Sequence, residues 1–144
     1  MVTVKKIAQQ QDLEKAFQIR EEVFVIEQEV APEEEYDAYE DTSTHFLALD
    51  ADNNPCGTAR WRKTDHGIKL ERFAVLKKLR GTGVGRLLVS SVLEDIEKNE
   101  GKESIVYMHA QSHAISFYKK FGFVKEGEEF DECGIMHFKM TLRK

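Results

Sequence analysis

Residues 80–86 read Arg-Gly-Thr-Gly-Val-Gly-Arg, with glycine at every second position between two arginines. Gly81, Gly83 and Gly85 let the backbone approach a ligand without a Cβ in the way. A helical pattern starts at once: Val84, Leu87, Leu88, Ser91, Val92 and Asp95-Ile96 share one face, while Glu94, Glu97 and Lys98 take the other. A helix entered through glycines exposes the unpaired N–H groups of its first turn, the positive end of its dipole. That is an anion cradle, most often for phosphate. Gly85 is followed by Arg86-Leu87, not by Lys-Ser or Lys-Thr, which argues against a triphosphate-binding P-loop. The G-x-G-x-G spacing also departs from the dinucleotide G-x-G-x-x-G pattern. The alternative is a helix entry that simply needs tight turns.

The elements that would hold this turn follow from periodicity. Residues 2–7 alternate apolar with polar, predicting a half-buried first strand. Asp12 is the expected N-cap of a helix whose stripe is Leu13, Ala16, Phe17, Arg20, Val23 and Phe24. Residues 32–41 are an acidic run, ordinarily a solvated loop. Residues 44–50, 56–62 and 68–76 predict strands two, three and four, an antiparallel meander with turns at 51–55 and 63–67. Gly101 ends the helix after the glycine turn. Residues 104–109 then predict a buried fifth strand, parallel to the fourth because a helix crossover joins them. A short helix across 110–121 puts Ala114, Phe117, Tyr118 and Phe121 on one face, with Phe117 and Phe121 as core. Residues 124–130 and 135–142 form a closing hairpin about 131–134, where Gly134 suits the turn. The sum is an α/β (α+β) fold: one domain over 1–144, a mixed central sheet of six to seven strands, and flanking helices.

Composition narrows the function classes. The chain has 144 residues, 41% hydrophobic and 33% charged, ordinary for one soluble globular domain. A formal charge of −5 argues against nucleic acid as main partner and favours encounter with cationic substrates such as amines. Cys56 and Cys133 lie far apart, in no metal-ligand or disulfide spacing, so no metal site is expected and reduced thiols in the cytoplasm fit best. No apolar run approaches a membrane span, and residues 1–5 lack signal-peptide architecture.

The stretch R-x-x-G-x-G, Arg80 to Gly85, resembles the acyl-CoA pyrophosphate loop of the GNAT superfamily of N-acetyltransferases, and A-I-x-F-Y-K-K-F-G-F at 114–123 resembles its second signature. The two, separated by one helix and one strand, are specific together. The order VFVIEQE at 23–29, then Asp37, Asp41 and His45, is similar to the ElaA-like and YjcF-like branch. The resemblance implies that the fourth and fifth strands splay apart and that acetyl-CoA enters the resulting V. It implies cofactor contacts from Arg80, Gly81, Thr82, Gly83, Val84, Gly85 and Arg86, in which either arginine reaches a phosphate. The backbone of Phe73, Ala74 and Val75 would pair with the pantetheine amides like an added strand, with an N–H near Val75 aimed at the thioester carbonyl. Gln111 stands where many members carry an asparagine that holds the same arm, and the Tyr118 hydroxyl would point at the sulfur. The segment over the acceptor side makes Glu27, Glu29, Asp37 and His45 candidates for substrate contact.

The implied reaction is direct attack by a primary amine of a small molecule or peptide. An alkylammonium must first lose a proton to a carboxylate or imidazole. Glu71 is the first choice, because two-residue spacing puts it on the strand face of Phe73 and Val75; the alternative is a carboxylate salt-bridged to Arg72 or Arg60. His109 and His45 stand in reserve. Tyr118 would protonate the departing thiolate. A non-catalytic acyl-CoA-binding sensor is the rival from another class. An acyl-homoserine-lactone-type synthase is a further one, for which the chain is short. Monomer and homodimer both remain compatible with the pattern.

Overall fold

The alternating runs close into one seven-stranded sheet of order β1-β2-β3-β4-β5-β7-β6, in a computed structural model that describes residues 1–143. β1 (Thr3–Lys6), β2 (Thr44–Leu49), β3 (Pro55–Thr64) and β4 (Gly67–Val75) are successive antiparallel neighbours. β5 (Val106–Gln111) runs parallel to β4, and β7 (Ile135–Leu142) and β6 (Phe123–Glu132) extend the sheet antiparallel. The helices are α1 (Gln10–Arg20), α2 (Pro32–Glu35), α3 (Val84–Glu100) and α4 (Ile115–Lys119).

Two apolar cores lie on opposite faces of the sheet. Val84, Leu88, Val92 and Ile96 of α3 pack on Phe46, Leu70 and Val106. Each such side chain contributes about 1.5–3 kcal/mol when fully buried. Ala16 and Ile19 of α1, followed by Val23 and Phe24, pack on Leu47 and Ala74. No helix among the described residues is long and apolar enough to cross a membrane.

Asp12 is not the N-cap of α1. Gln9 holds that position, and Asp12 sits inside the first turn, 2.8 Å from Lys5 Nζ. A first-turn carboxylate gains from the helix dipole as well as from that lysine. After Arg20 the helix widens: over Glu21–Glu27 it becomes π-helical, the Gln28 N–H reaching the Val23 carbonyl five residues back at 3.0 Å. Glu29, at φ +60°, then turns the chain away. Both adjustments push Glu27 and Gln28 toward the middle of the sheet.

A bulge interrupts β4. Its register against β3 slips between Thr58 and Arg60, and Arg72 adopts φ +58°. Ile68 and Leu70 face the α3 core, as do Phe73 and Val75, whereas Ala74 faces the α1 core. The extra residue reverses the alternation, so Glu71 stands on the face opposite Phe73 and Val75. The expectation of a shared face is therefore corrected.

The acidic run is not a solvated loop throughout. Arg20 and Arg60, 1% and 0% exposed, draw its carboxylates inward. Arg20 Nε donates to Glu35 Oε2 at 2.6 Å and its Nη2 to Glu40 Oε2 at 2.7 Å. Arg60 Nη2 donates to Asp37 Oδ2 at 2.6 Å and to Glu71 Oε1 at 2.9 Å, and its Nη1 to Glu40 Oε1 at 2.8 Å. Arg72 adds a 2.8 Å contact to Glu35. Glu33, Glu34 and Asp41 stay exposed, as the sequence pattern predicts.

Candidate functional site

β4 and β5 pair only at Ile68↔Val106, Lys69↔Tyr107 and Leu70↔Met108. Beyond Leu70 and Met108 the ladder stops, and a cleft of about 870 Å³ occupies the gap. It runs from the glycine turn before α3, past α4, to the tip of the β6–β7 hairpin. A volume of this size suits a ligand with an extended arm.

At one end Gly81 and Gly83 adopt φ +82° and +96°, and Gly83 is the N-cap of α3. Leu87 donates to the Gly83 carbonyl at 3.1 Å, so the N–H groups of Val84, Gly85 and Arg86 precede the first helical bond. A Cβ on Gly85 would lie 3.3 Å from the Phe117 ring and fill the passage beside it. The side chains of this turn diverge. Arg86 lines the cleft, Val84 is core, and the Thr82 hydroxyl turns back to the Leu79 carbonyl at 2.6 Å. Thr82 and Val84 thus offer backbone only. Arg80 Nε donates to the Val75 carbonyl at 2.9 Å, and its Nη2 to Glu27 Oε1 at 2.7 Å. That guanidinium holds the Glu27 carboxyl below its ordinary range.

Midway, Phe73 and Val75 line the cleft beside Tyr118, whose ring meets Phe73 edge-on at 6.2 Å and Phe117 at 5.1 Å. Burial pushes the Tyr118 hydroxyl well above the ordinary tyrosine range, so it keeps its proton. Across the gap, Gln111 Nε2 donates to Gln28 Oε1 at 2.9 Å, and Gln28 Nε2 returns a bond at 3.3 Å. This amide pair ties the end of the π-helical turn to the end of β5.

The far end is polar. Glu71 is 8% exposed, and besides Arg60 it meets Arg62 Nε at 2.7 Å and Lys69 Nζ at 3.1 Å. Burial alone would raise its pKa, yet the surrounding cations win and hold it at about 2. A carboxylate so held is a poor proton acceptor, which favours the salt-bridged alternative for Glu71 over the role of base. Beside it, His109 Nδ1 lies 3.1 Å from Glu132 Oε1, and the other oxygen of Glu132 is 3.7 Å from His137 Nε2. His109, Glu132 and His137 all line the cleft.

The structure thus gathers Tyr118, Gln111, Arg80, Arg86, Glu27, His109 and the backbone of Phe73 to Val75 around one cleft. It separates others. Glu29 is exposed and does not line it. Asp37 belongs to the arginine lattice. His45 is buried against Phe17, with Nε2 2.8 Å from the Glu40 carbonyl, and burial depresses its pKa. Asp37 and His45 brace the loop instead of facing the cleft.

Sequence reasoning passed over Gln28, Glu132 and His137. A signal for the last two existed: a turn at Cys133-Gly134 pairs Glu132 with Ile135 and Phe130 with His137, on the sheet face of His109.

The comparisons with known proteins agree with this geometry. An acetyltransferase (GNAT) domain model matches residues 4–144. The uncharacterized N-acetyltransferase YjcF of Bacillus subtilis is 42% identical, covering 91% of this chain and 92% of its own. YyaT of the same organism is 38% identical, covering 97% and 95%. The crystal structure of Escherichia coli ElaA superposes with a TM-score of 0.88 at 29% identity, covering 99% of this chain and 100% of its own. An acyl-CoA N-acyltransferase from Pseudomonas aeruginosa gives 0.85 at 27%, covering 99% of each. With its glycine cradle and broken β4–β5 ladder in the same places that its sequence resemblance implied, this chain belongs to the GNAT acetyltransferase family.

Proposed function

We propose that the chain is an acetyl-CoA-dependent N-acetyltransferase acting on a primary amine of a small molecule or peptide. The observation that carries this reading is the early stop of the β4–β5 ladder at Leu70 and Met108, beside a glycine-entered helix. The pyrophosphate of acetyl-CoA would lie on the N–H groups of Gly81 to Arg86, with the Arg86 side chain at hand. The backbone of Phe73 to Val75 would take the pantetheine amides in the manner of a missing strand. Gln111 would give up Gln28 to hold the same arm, and Arg80 would stay on the Val75 carbonyl or release Glu27 for a phosphate.

Acetyl-CoA supplies an activated acyl carbonyl with a thiolate leaving group. A backbone N–H near Val75 polarises that carbonyl, a contribution of about 3 kcal/mol for a well-aimed donor. Tyr118, protonated at any working pH, supplies a proton to the sulfur. Val23, Phe24 and Ile135 offer the amine an apolar wall on the α1 side. Glu27, already at the cleft, would meet the acceptor or the Arg80 side of the cofactor. The free thiols Cys56 and Cys133 support a reducing, cytoplasmic setting.

Thermal unfolding with and without acetyl-CoA tests the reading, run beside Gly83→Glu. That variant puts an anion into the cradle at a left-handed position, with a backbone strain of about 1–3 kcal/mol. Wild type should gain about 2.7 kcal/mol at a hundred times Kd. Gly83→Glu, folded by circular dichroism, should gain almost nothing. An unshifted midpoint for wild type at saturating acetyl-CoA would sink the proposal.

A further inference from the structure

We infer that His109 is the proton acceptor for the attacking amine and that Glu132 positions it; the inference rests on the acetyl-transfer reading above. His109 is the first residue of β5 beyond the last β4 pair, so it stands where the two strands begin to part. Val106, Met108 and Ala110 point into the α3 core, which turns His109 to the opposite face, the side of α1 and the π-helical turn. Tyr118 belongs to the α3 face. An acyl carbonyl held in the gap would therefore have its thiol donor on one face of the sheet and its base on the other, the arrangement direct attack requires.

The ring of His109 is fixed. Phe130 meets it edge-on at 5.1 Å, and Tyr107 packs at 6.1 Å. Its Nδ1 is 3.1 Å from Glu132 Oε1, and the imidazole beside it draws the Glu132 carboxyl below its ordinary range. An ionised carboxylate only accepts, so the proton of neutral His109 sits on Nδ1. Nε2 then carries the lone pair, has no hydrogen-bond partner among the described residues, and belongs to a side chain that lines the cleft. The Nδ1–H bond of His109 holds one oxygen of the Glu132 carboxylate in place, while His137, whose Nδ1 donates to the Ile135 carbonyl at 2.7 Å, lies 3.7 Å from the second oxygen without a hydrogen bond to it.

The other charged and titratable groups around the pair are His137 and Lys139 on β7, Tyr107 on β5, Lys69 and Glu71 on β4, and Cys133 at the hairpin tip with Glu34 and Arg72 beside it. Lys69 already serves Glu71. Lys139 Nζ lies over the Tyr107 ring at 5.4 Å. Neither lysine can accept a proton while charged, Glu71 is taken up by Arg60, Arg62 and Lys69, and the ring of His137 lies between the Ile135 carbonyl and Glu132, which leaves His109 as the basic group on this wall.

The step balances simply. The alkylammonium first gives one proton to His109 Nε2, which passes it to solvent; the free amine nitrogen then forms a bond to the acyl carbon and gives its second proton to the same Nε2. The carbon–sulfur bond breaks with its electron pair on sulfur, and the thiolate takes a proton from Tyr118. His109 then loses its extra proton to solvent, and Tyr118 regains one.

The test has two readouts. The first is long-range proton–nitrogen NMR of the imidazoles in the unliganded chain at about pH 8, above the usual histidine range. His109 should be the Nδ1–H tautomer, and Glu132→Ala should shift it toward Nε2–H, while Glu132→Gln, whose amide oxygen still accepts, should preserve it. A wild-type Nε2–H ring overturns the proposal. The second is thiol release from acetyl-CoA with phenethylamine, spermidine or a lysyl peptide as acceptor. His109→Gln should lose about a hundredfold in kcat/KM, yet keep the full acetyl-CoA-dependent rise in midpoint. Glu132→Ala should fall about tenfold in kcat, and Glu132→Gln should recover most of it. His109→Gln within threefold of wild type overturns the assignment. So does a wild type that binds acetyl-CoA and serves none of the three amines. Absence of acetyl-CoA binding instead removes the acetyl-transfer reading itself.

Discussion

Arg60→Ala is expected to lose about 3–5 kcal/mol of folding stability, the usual consequence of deleting one member of a buried ion-pair network. The side chain is 0% exposed and bonds to Asp37, Glu40 and Glu71 at once. Removing it takes the shared cation from three carboxylates drawn out of bulk water and leaves Glu40 to Arg20, Asp37 to Arg72, and Glu71 to Arg62 and Lys69, whereas a surface pair of the same length would cost under about 1 kcal/mol. For a chain of this size the midpoint should fall by roughly 10–20 °C, measurable by thermal and urea unfolding near neutral pH. A loss below about 1 kcal/mol would mean that water reaches the carboxylates and the lattice is dispensable. Acid should act on the same groups. Asp37 and Glu71 are held at about 2 despite their burial, by Arg60 with Arg72 for the first and by Arg62, Arg60 and Lys69 for the second. Their folded pKa values lie below the unfolded ones, so the unfolded state binds more protons as pH falls. The stabilisation is complete above about pH 4.5 and is lost toward pH 2. Glu35 runs the other way, since burial pushes it up against the pull of Arg20 and Arg72, and it softens the loss. In Arg60→Ala the acid slope should flatten, because Asp37, left with Arg72, and Glu71, left with Arg62 and Lys69, begin from less depressed values.

This lattice also marks where the sequence ceases to be legible. Arg20, Arg60 and Arg72 sit on three elements, and nothing in their spacing says that they converge on residues 35–40, so the acidic run looks like an ordinary solvated loop. The strand alternation placed β4 correctly but not its faces. A bulge usually shows itself through glycine, and here it falls at Arg72, a residue with φ +58° and no local signature. That one residue moved Glu71 to the opposite face and into the arginines. By contrast, the glycine turn, the α3 stripe and the hairpin tip were readable, because each depends on local conformation or on the 3.6-residue and two-residue periods. The turn at Cys133 and Gly134, with φ +55° and +81°, is of that kind. It also fixes the register that carries Glu132 to His109 and Phe130 to His137. A binding site is legible where the backbone makes it, as in the cradle, and obscure where long-range register does, as on the acceptor wall.

Replacing Tyr118 by phenylalanine should separate an enzyme from a cofactor-binding sensor, because the substitution removes one hydroxyl and leaves the packing in place. The ring is held edge-on by Phe73, Phe117 and Phe123 at 5.1–6.2 Å, contacts that phenylalanine would keep. Stability and the acetyl-CoA-dependent rise in midpoint should change little. What goes is the proton. A thiolate of ordinary pKa near 8.5 leaves without help only slowly from an apolar cleft, and it can re-attack the acyl group before it drifts away. General-acid assistance contributes about 10²–10⁴ in rate. The hydroxyl assists a sulfur leaving group, which needs less help than an alkoxide, so the expected fall in kcat is about 10²–10³. Because burial holds the hydroxyl well above its usual pKa, the wild-type rate should show no loss from this group up to about pH 10, and the variant should have the same profile at a lower level. Single-turnover thiol release under saturating acetyl-CoA is the measurement that isolates the chemical step from binding. A variant that matches wild type within threefold would assign Tyr118 to packing alone. In that event the proton for sulfur must come from water admitted by the open cleft, and the edge-on aromatic cluster would serve only to shape the passage between α4 and the glycine turn.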